Sequence, residues 1–365
     1  MALPYNYQGD WSRMAQLIVH QSLRTQPGER VIMHADPTYF PELCEQVRIE
    51  IVKAGAVELC TSILHPSGLE AVRRRQRRRQ DATLKQMEDE ALAALFALAD
   101  IYIWLPTSWA WNVGQTEDIL KTWPGRSIHF HWIMDETDPT VFRKLSEMYE
   151  AALCIDYDVL AAHQERLIER LRHSTVEITN AAGTELRFCL QAAHFHRGNG
   201  NASKAFINGY ARPGSARDRE VELPAGAIRT VDMTETEGRL VCTRETFAGR
   251  QVGTLTYEFR DNRITRLASE YHHDFVQALW ALETGDKDRF GEFNLGVSPA
   301  LTLLLGHDKV IPYYGYGAGM VRVSLGDNQE SGGAYRSSYH HWLFLTDATV
   351  KVDGQIIVER GTLVA

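Results

Sequence analysis

The hydrophobic period of this chain changes near residue 174, and that change constrains its fold more than any single motif. Before it, helical and strand patterns alternate. Trp11 to Leu23 has helical spacing, and Gln26-Pro27-Gly28-Glu29 turns into the short strand Arg30 to His34. A helix over about Phe40 to Ala54 stops at Gly55 and leads to a strand at Val57 to Ile63. Leu84 to Ala99 reads as a further helix, followed by the apolar strand Asp100 to Leu105 and a later strand, Ser127 to Trp132. Strands alternating with helices predict a parallel sheet covered on both faces. The layout is Rossmann-like, but no G-x-G-x-x-G follows the first strand, so a dinucleotide gains little support.

Ala161 to His173 predicts a helix bridging to the second half. From there the pattern becomes short alternating strands with glycine turns: Thr175 to Thr179, Glu185 to Leu190, Arg239 to Thr243, Val252 to Arg260 and Arg263 to Ser269. One helix, about His273 to Leu282, interrupts them. The expected organisation is two domains: a Rossmann-like α/β domain with a parallel sheet over residues 1–174, and an α+β domain of mostly antiparallel strands over 175–365. The stretch Gly315 to Gly361 is densest in turn glycines and carries Arg322, Asp327, Asn328, Tyr339, His340, His341 and Trp342 between them.

Composition narrows the partners. A net charge of −8 argues against nucleic acid and anionic membranes, and no apolar run approaches a bilayer span. Cys44, Cys60, Cys154, Cys189 and Cys242 show no C-x-x-C spacing, and no signal-peptide core follows Met1. A cytoplasmic chain with reduced thiols is expected. The run Arg73 to Arg79 reads as a solvated helix or loop, or else as an anion-facing patch or subunit contact.

Several clusters offer chemistry. Glu292 sits in the apolar, glycine-bounded Gly291 to Pro299 segment, where a carboxylate needs a partner or a metal to offset desolvation. On a strand, His340 and Trp342 share one face and Tyr339 and His341 the other. His340 is the favoured candidate, since imidazole serves as both metal ligand and general base. His272 and His273 precede Asp274 at a helix start. His194 and His196, and His307 with Asp308, are weaker candidates. No G-x-S-x-G elbow, H-E-x-x-H helix or phosphate loop is present, so serine catalysis and nucleotide hydrolysis lose support.

The second half resembles the aminopeptidase T/aminopeptidase S family of dinuclear metallo-aminopeptidases and their relative, 2,5-dihydroxypyridine 5,6-dioxygenase. The residues that carry this are Gly183-Thr184-Glu185-Leu186, Leu223-Pro224-Ala225-Gly226, Gly291-Glu292 and the Gly319 to Gly333 run, with His340 like the histidine of a terminal H-x-D. Pro27 to Val31 and Gly55-Ala56 extend the resemblance less specifically into the first half. It implies a homodimer whose pocket is roofed by the N-terminal domain. It also implies metal ligands at positions where this chain has Ala227, Arg322 and Trp342, leaving Glu292 and His340 in place. Two ligands cannot hold two divalent ions.

Three readings follow. An enzyme on this scaffold, its site rebuilt, hydrolyses an amide or related bond in a small molecule. A mononuclear ring-cleaving iron dioxygenase completes its ligand set from Glu292, His340 and one of His341, His272 or His273. A metal-free enzyme uses His340 as acid or base, Glu292 as its orienter or partner acid and Arg322 as anion anchor; a binding protein would use the same pocket. The cofactor is accordingly one divalent ion (Fe, Zn or Mn) or none. Trp342, Tyr339, Tyr316 and Asp327, with Tyr313 and Tyr314, are expected to line the substrate pocket.

Overall fold

The computed structural model describes residues 7–35, 40–63, 82–105, 119–133, 138–191, 193–304 and 310–365. The Arg73 to Arg79 run and the His307-Asp308 pair lie outside the described residues. The chain divides into two compact units, one of residues 1–157 with 200–225 and one of 158–199 with 226–365.

The first unit is built on a five-stranded parallel sheet in the order Val57–Ile63, Arg30–Ala35, Ile101–Trp104, Arg126–Phe130 and Glu220–Leu223. Ile101–Trp104 is buried at every position, as a sheet covered on both faces requires. Its helices include Pro41–Lys53, Ala82–Ala97 and Pro139–Leu153. The last of these begins where Asp138 accepts from the backbone N–H of Thr140 and Val141, with Pro139 in the first turn. A core cluster of Phe96, Tyr102, Trp104 and Trp123 packs on one face of the sheet. Arg126 and Glu29 form a buried two-bond ion pair at 2.7 and 2.9 Å. The fifth strand, Glu220–Leu223, comes from beyond the expected boundary at residue 174. Its alternating sequence carries no mark of a parallel partner.

The second unit contains two antiparallel sheets. Eight strands run in the order Arg263–Ser269, Arg250–Arg260, Thr234–Phe247, Glu185–Cys189, Thr175–Thr179, Thr349–Val352, Gln355–Glu359 and Thr362–Leu363. The other sheet runs His340–Leu345, Val321–Gly326, Phe290–Gly296, Ala227–Thr230 and His196–Gly198. Phe188 of the larger sheet meets Phe290 and Phe293 of the smaller at centroid distances of 5.3 and 5.2 Å, and Phe259 meets Phe290 at 5.7 Å. Those aromatic contacts form the apolar interior of a sheet-on-sheet packing. Gln164, on the helix Tyr157–Leu171, donates to the carbonyls of Gly198 and Ala227 at 3.0 and 3.3 Å.

Among the described residues the architecture is therefore mixed α/β, with one parallel and two antiparallel sheets. All five cysteines are free, and no described helix is long and apolar enough to cross a membrane.

Candidate functional site

The strand Phe290–Gly296 is buried along its whole length although it carries Glu292 and Asn294. A bulge explains how both sequence demands are met. Phe290 pairs with Leu325, but the next paired residue is Glu292, opposite Ser324, so Gly291 is an extra residue. Phe290, Phe293 and Leu295 then share the apolar face, while Glu292 and Asn294 turn to the other. Without the bulge, Glu292 would lie on the same face as Phe290. Asn328 holds the bulge by donating from Nδ2 to the Gly291 carbonyl at 2.9 Å.

The register across the sheet makes this second face polar. Asn294 pairs with Arg229 on one side and Arg322 on the other, and Ser324 pairs with Trp342. Arg229, Asn294, Arg322, Ser324 and Glu292 are all at most 4% exposed. Arg322 Nη2 donates to Glu292 Oε1 at 2.5 Å, and Ser331 Oγ donates to Oε2 at 2.6 Å. A further Arg322 bond reaches the Tyr314 carbonyl at 3.2 Å. The guanidinium lies 4.5 Å from the Trp342 ring centre and 5.8 Å from that of Tyr316, over which Arg229 also sits at 5.5 Å. A buried guanidinium held between aromatic planes and a carboxylate is fixed in position as well as in charge.

Burial by itself raises the proton affinity of Glu292, but Arg322, Arg229 and the Ser331 hydroxyl outweigh it. Its carboxyl falls to about 2 and is an anion at neutral pH. By contrast, neither side-chain polar atom of Asn294 has a hydrogen-bond partner among the described residues, nor does Ser324 Oγ. Such groups inside a protein cost free energy unless something pairs with them.

The expected site residues separate by face. His340, Trp342, Arg322, Glu292 and Tyr316 gather on or beside the polar face. The His340 ring stands edge-on to Trp342 at 5.5 Å. Although part of His340 reaches solvent, desolvation by its packed side lowers its proton affinity, as does Arg322, while Glu292 and Asp327 oppose this. Neutral imidazole is thus favoured. Tyr339 departs from the expected pocket: with His341 it turns to the opposite face, where its hydroxyl meets His341 Nδ1 at 2.9 Å and Tyr257 at 3.1 Å. Asp327 spends its oxygens on loop N–H groups, accepting from Gln329 at 3.2 Å and Ser337 at 3.0 Å. His272 and His273 are exposed at the start of the helix His273–Leu282. Among the described residues, none of these histidines joins Glu292 in a three-residue cluster of metal-ligand type.

Arg229, Asn294, Ser324 and Ser331 complete the site and were not singled out from the sequence. Asn294 had a signal, since it lies two residues from Glu292 on a strand and shares its face. Arg229 and Ser331 had none, because only the sheet order and a loop bring them to Glu292.

Solved structures similar to this chain over nearly its whole length include two. One is a 2,5-dihydroxypyridine dioxygenase from Pseudomonas putida KT2440, at 16% identity and a TM-score of 0.61, covering 97% of each chain. The other is wild-type AmpT from Thermus thermophilus, at 16% identity and 0.66, covering 97% of this chain and 99% of that one. The chain shares their fold. These are the structures that the motif resemblance points to, although no family model and no curated protein matches the sequence.

Proposed function

We propose that the chain is an enzyme that hydrolyses an amide or related bond in a small molecule on the polar face of the antiparallel five-stranded sheet. The observation that carries this reading is the buried Arg322, fixed by Glu292 and Trp342 beside the unpaired polar groups of Asn294 and Ser324. A fixed cation next to unsatisfied donors suits a substrate carboxylate or a developing oxyanion. That one fold relative is named as a dioxygenase lends general support to an enzyme.

Metal chemistry of the kind the family resemblance implies does not fit this donor set. Glu292 already binds Arg322 and Ser331, Ala227 and Trp342 offer no carboxylate, and His341 faces the other side of the sheet. With a guanidinium at 2.5 Å on one oxygen and a hydroxyl at 2.6 Å on the other, both oxygens of Glu292 are already engaged. The mechanism is therefore assigned to the side chains alone. Neutral His340 takes a proton from water as its oxygen attacks the carbonyl carbon. Arg322 and Asn294 Nδ2 offset the charge on the tetrahedral oxygen. His340 then returns the proton to the nitrogen as the C–N bond breaks. Glu292 orients Arg322 and, being ionised, does not act as the acid.

The aromatic rings of Trp342, Tyr314 and Tyr316 favour a second reading, iron-dependent ring-cleaving oxygenation, in which the iron would be held by residues other than the Glu292–Arg322 pair. Release of amine from a panel of aminoacyl and aryl amides, with and without chelator, separates the two. Oxygen uptake with 2,5-dihydroxypyridine runs in parallel. The expected result is chelator-resistant amide hydrolysis, lost in a folded His340→Ala variant and with kcat lowered more than KM is changed in Asn294→Ala. Full activity in His340→Ala would refute the assignment, and oxygen uptake without hydrolysis would favour the second reading.

A further inference from the structure

A second cluster of chemically capable residues lies in the first unit, and none of its members is a site candidate from the sequence. In the parallel sheet, His34 pairs with Trp104, Trp104 with His129 and His129 with Glu222, one in-register row across four strands. Side chains in such a row share a face, and so do residues two positions away. His131 and Glu220 therefore join His129 and Glu222. Pairing continues past the end of the Arg126–Phe130 strand, because the His131 N–H donates to the Leu223 carbonyl at 2.8 Å. These residues stand at the carboxyl ends of parallel strands, where open α/β sheets bind their ligands.

The side chains converge. One ligand-type atom from each of His129, His131 and Glu222 lies within 4.8 Å of the other two, and no other such group occurs among the described residues. The Trp104 ring stacks on His129 at 3.8 Å and 11°, and the His129 and His131 centroids are 3.7 Å apart. Glu222 Oε1 lies 3.9 Å from His131 Nε2.

We propose that His129, His131 and Glu222 bind one divalent first-row transition-metal ion, with zinc as the reference ion. Two imidazoles and a carboxylate form an N/O donor set suited to such ions, and three protein ligands leave a position open for water or substrate. The surrounding residues match what a metal-binding imidazole needs. Glu220 Oε1 sits 3.6 Å from His129 Nδ1, so a carboxylate backs that ring and leaves Nε2 as its ligand atom. Arg217 donates to Glu222 Oε1 at 2.6 Å and approaches Glu220 at 3.4 Å, restraining both carboxylates. A carboxylate offers roughly four lone-pair sites, so one guanidinium bond orients Glu222 without using it up. Glu292 differs, since two guanidiniums and a hydroxyl converge on it and no imidazole pair stands beside it.

Titration of the metal-free full-length chain with Co(II), read by visible absorption, and with Zn(II), read by calorimetry, tests the site without reference to activity. The expected result is one ion per chain, with affinity weakened at least about tenfold in His131→Ala and Glu222→Gln and unchanged in His340→Ala. Near-UV circular dichroism of each metal-free variant checks that it folds. His131→Gln replaces His131→Ala if the smaller side chain disturbs the ring stack. Absence of stoichiometric binding by the wild type would overturn the proposal. So would wild-type affinity in folded His131→Gln and Glu222→Gln, or binding that disappears only in His340→Ala.

Discussion

Tyr339 and His341, two residues apart on one face of the same extended segment, are joined through Oη and Nδ1 at 2.9 Å, and Tyr257 extends the chain of hydroxyls at 3.1 Å. His341 thus lies half-buried on the face opposite the polar one, while its neighbour His340 belongs to the polar face. Burial first, and the charge of His340 second, lower the His341 imidazole to about 4 from an ordinary 6.5. The unfolded chain takes up this proton near pH 6.5 and the folded chain only near 4. Stability is therefore unaffected above pH 6.5 and declines as pH falls from 6.5 toward 4, by at most about 3 kcal/mol. Urea titrations at stepped pH should show this decline in the wild type and its absence in His341→Gln.

Glu245 predicts an opposite dependence. Burial of its side chain raises the carboxyl from 4.5 to about 7, against a weaker contribution from the Thr246 N–H. The unfolded chain ionises near 4.5 and the folded chain near 7, so this group's contribution is complete below pH 4.5 and lost as pH rises to 7. A Glu245→Gln variant should be more stable than wild type at pH 8 by up to about 3 kcal/mol and equal to it near pH 4. A constant difference across that range would mean that Glu245 acts through packing and not through its charge.

Much of this architecture was legible because it rests on local patterns. Val57–Ile63, Thr175–Thr179, Arg263–Ser269 and the helix His273–Leu282 have the bounds that period and turn residues predict. The opposed faces of His340 and His341 follow from strand alternation alone. Non-local pairing was not legible. Nothing in Glu220–Leu223 announces that it joins a strand some ninety residues earlier in a parallel sheet, so the His129, His131 and Glu222 convergence stayed hidden. Likewise, the sequence resemblance sets Arg322 at a position where the family it resembles has a metal ligand. Its bond to Glu292 was not, because that bond depends on the Gly291 bulge.

Gly326 fixes where the His340 strand begins. Its φ of +84° is in the left-handed region, and a Cβ there would stand 2.1 Å from the Tyr339 carbonyl oxygen. That atom is rigid backbone, and it also accepts the Asp327 N–H at 2.8 Å. Gly326→Ala should therefore cost well above 2 kcal/mol, more than a left-handed alanine alone. A shift of less than about 1 kcal/mol in the urea midpoint free energy would show that the Asp327–Tyr339 turn adapts freely.

The Glu292–Arg322 pair predicts strong non-additivity. Both side chains are nearly inaccessible, so removing one partner leaves the other as an uncompensated buried group. Arg322→Met should destabilise the chain by about 3–5 kcal/mol, because Glu292 then keeps only Arg229 and Ser331 against desolvation. Glu292→Gln should cost less, because the amide carbonyl can still accept from Arg322 and Ser331. The double variant should be more stable than the sum of the single losses predicts, since an apolar side chain beside a neutral amide carries no unpaired charge. Acid resistance supplies an independent check. With Glu292 at about 2 in the folded chain and 4.5 as its ordinary value, the pair stabilises fully above pH 4.5 and fails as pH falls toward 2. That acid-limb loss should vanish in Glu292→Gln and shrink in Arg322→Met, where Glu292 regains a higher proton affinity. Additive single losses with an unchanged acid limb would mean that the two charges do not depend on one another.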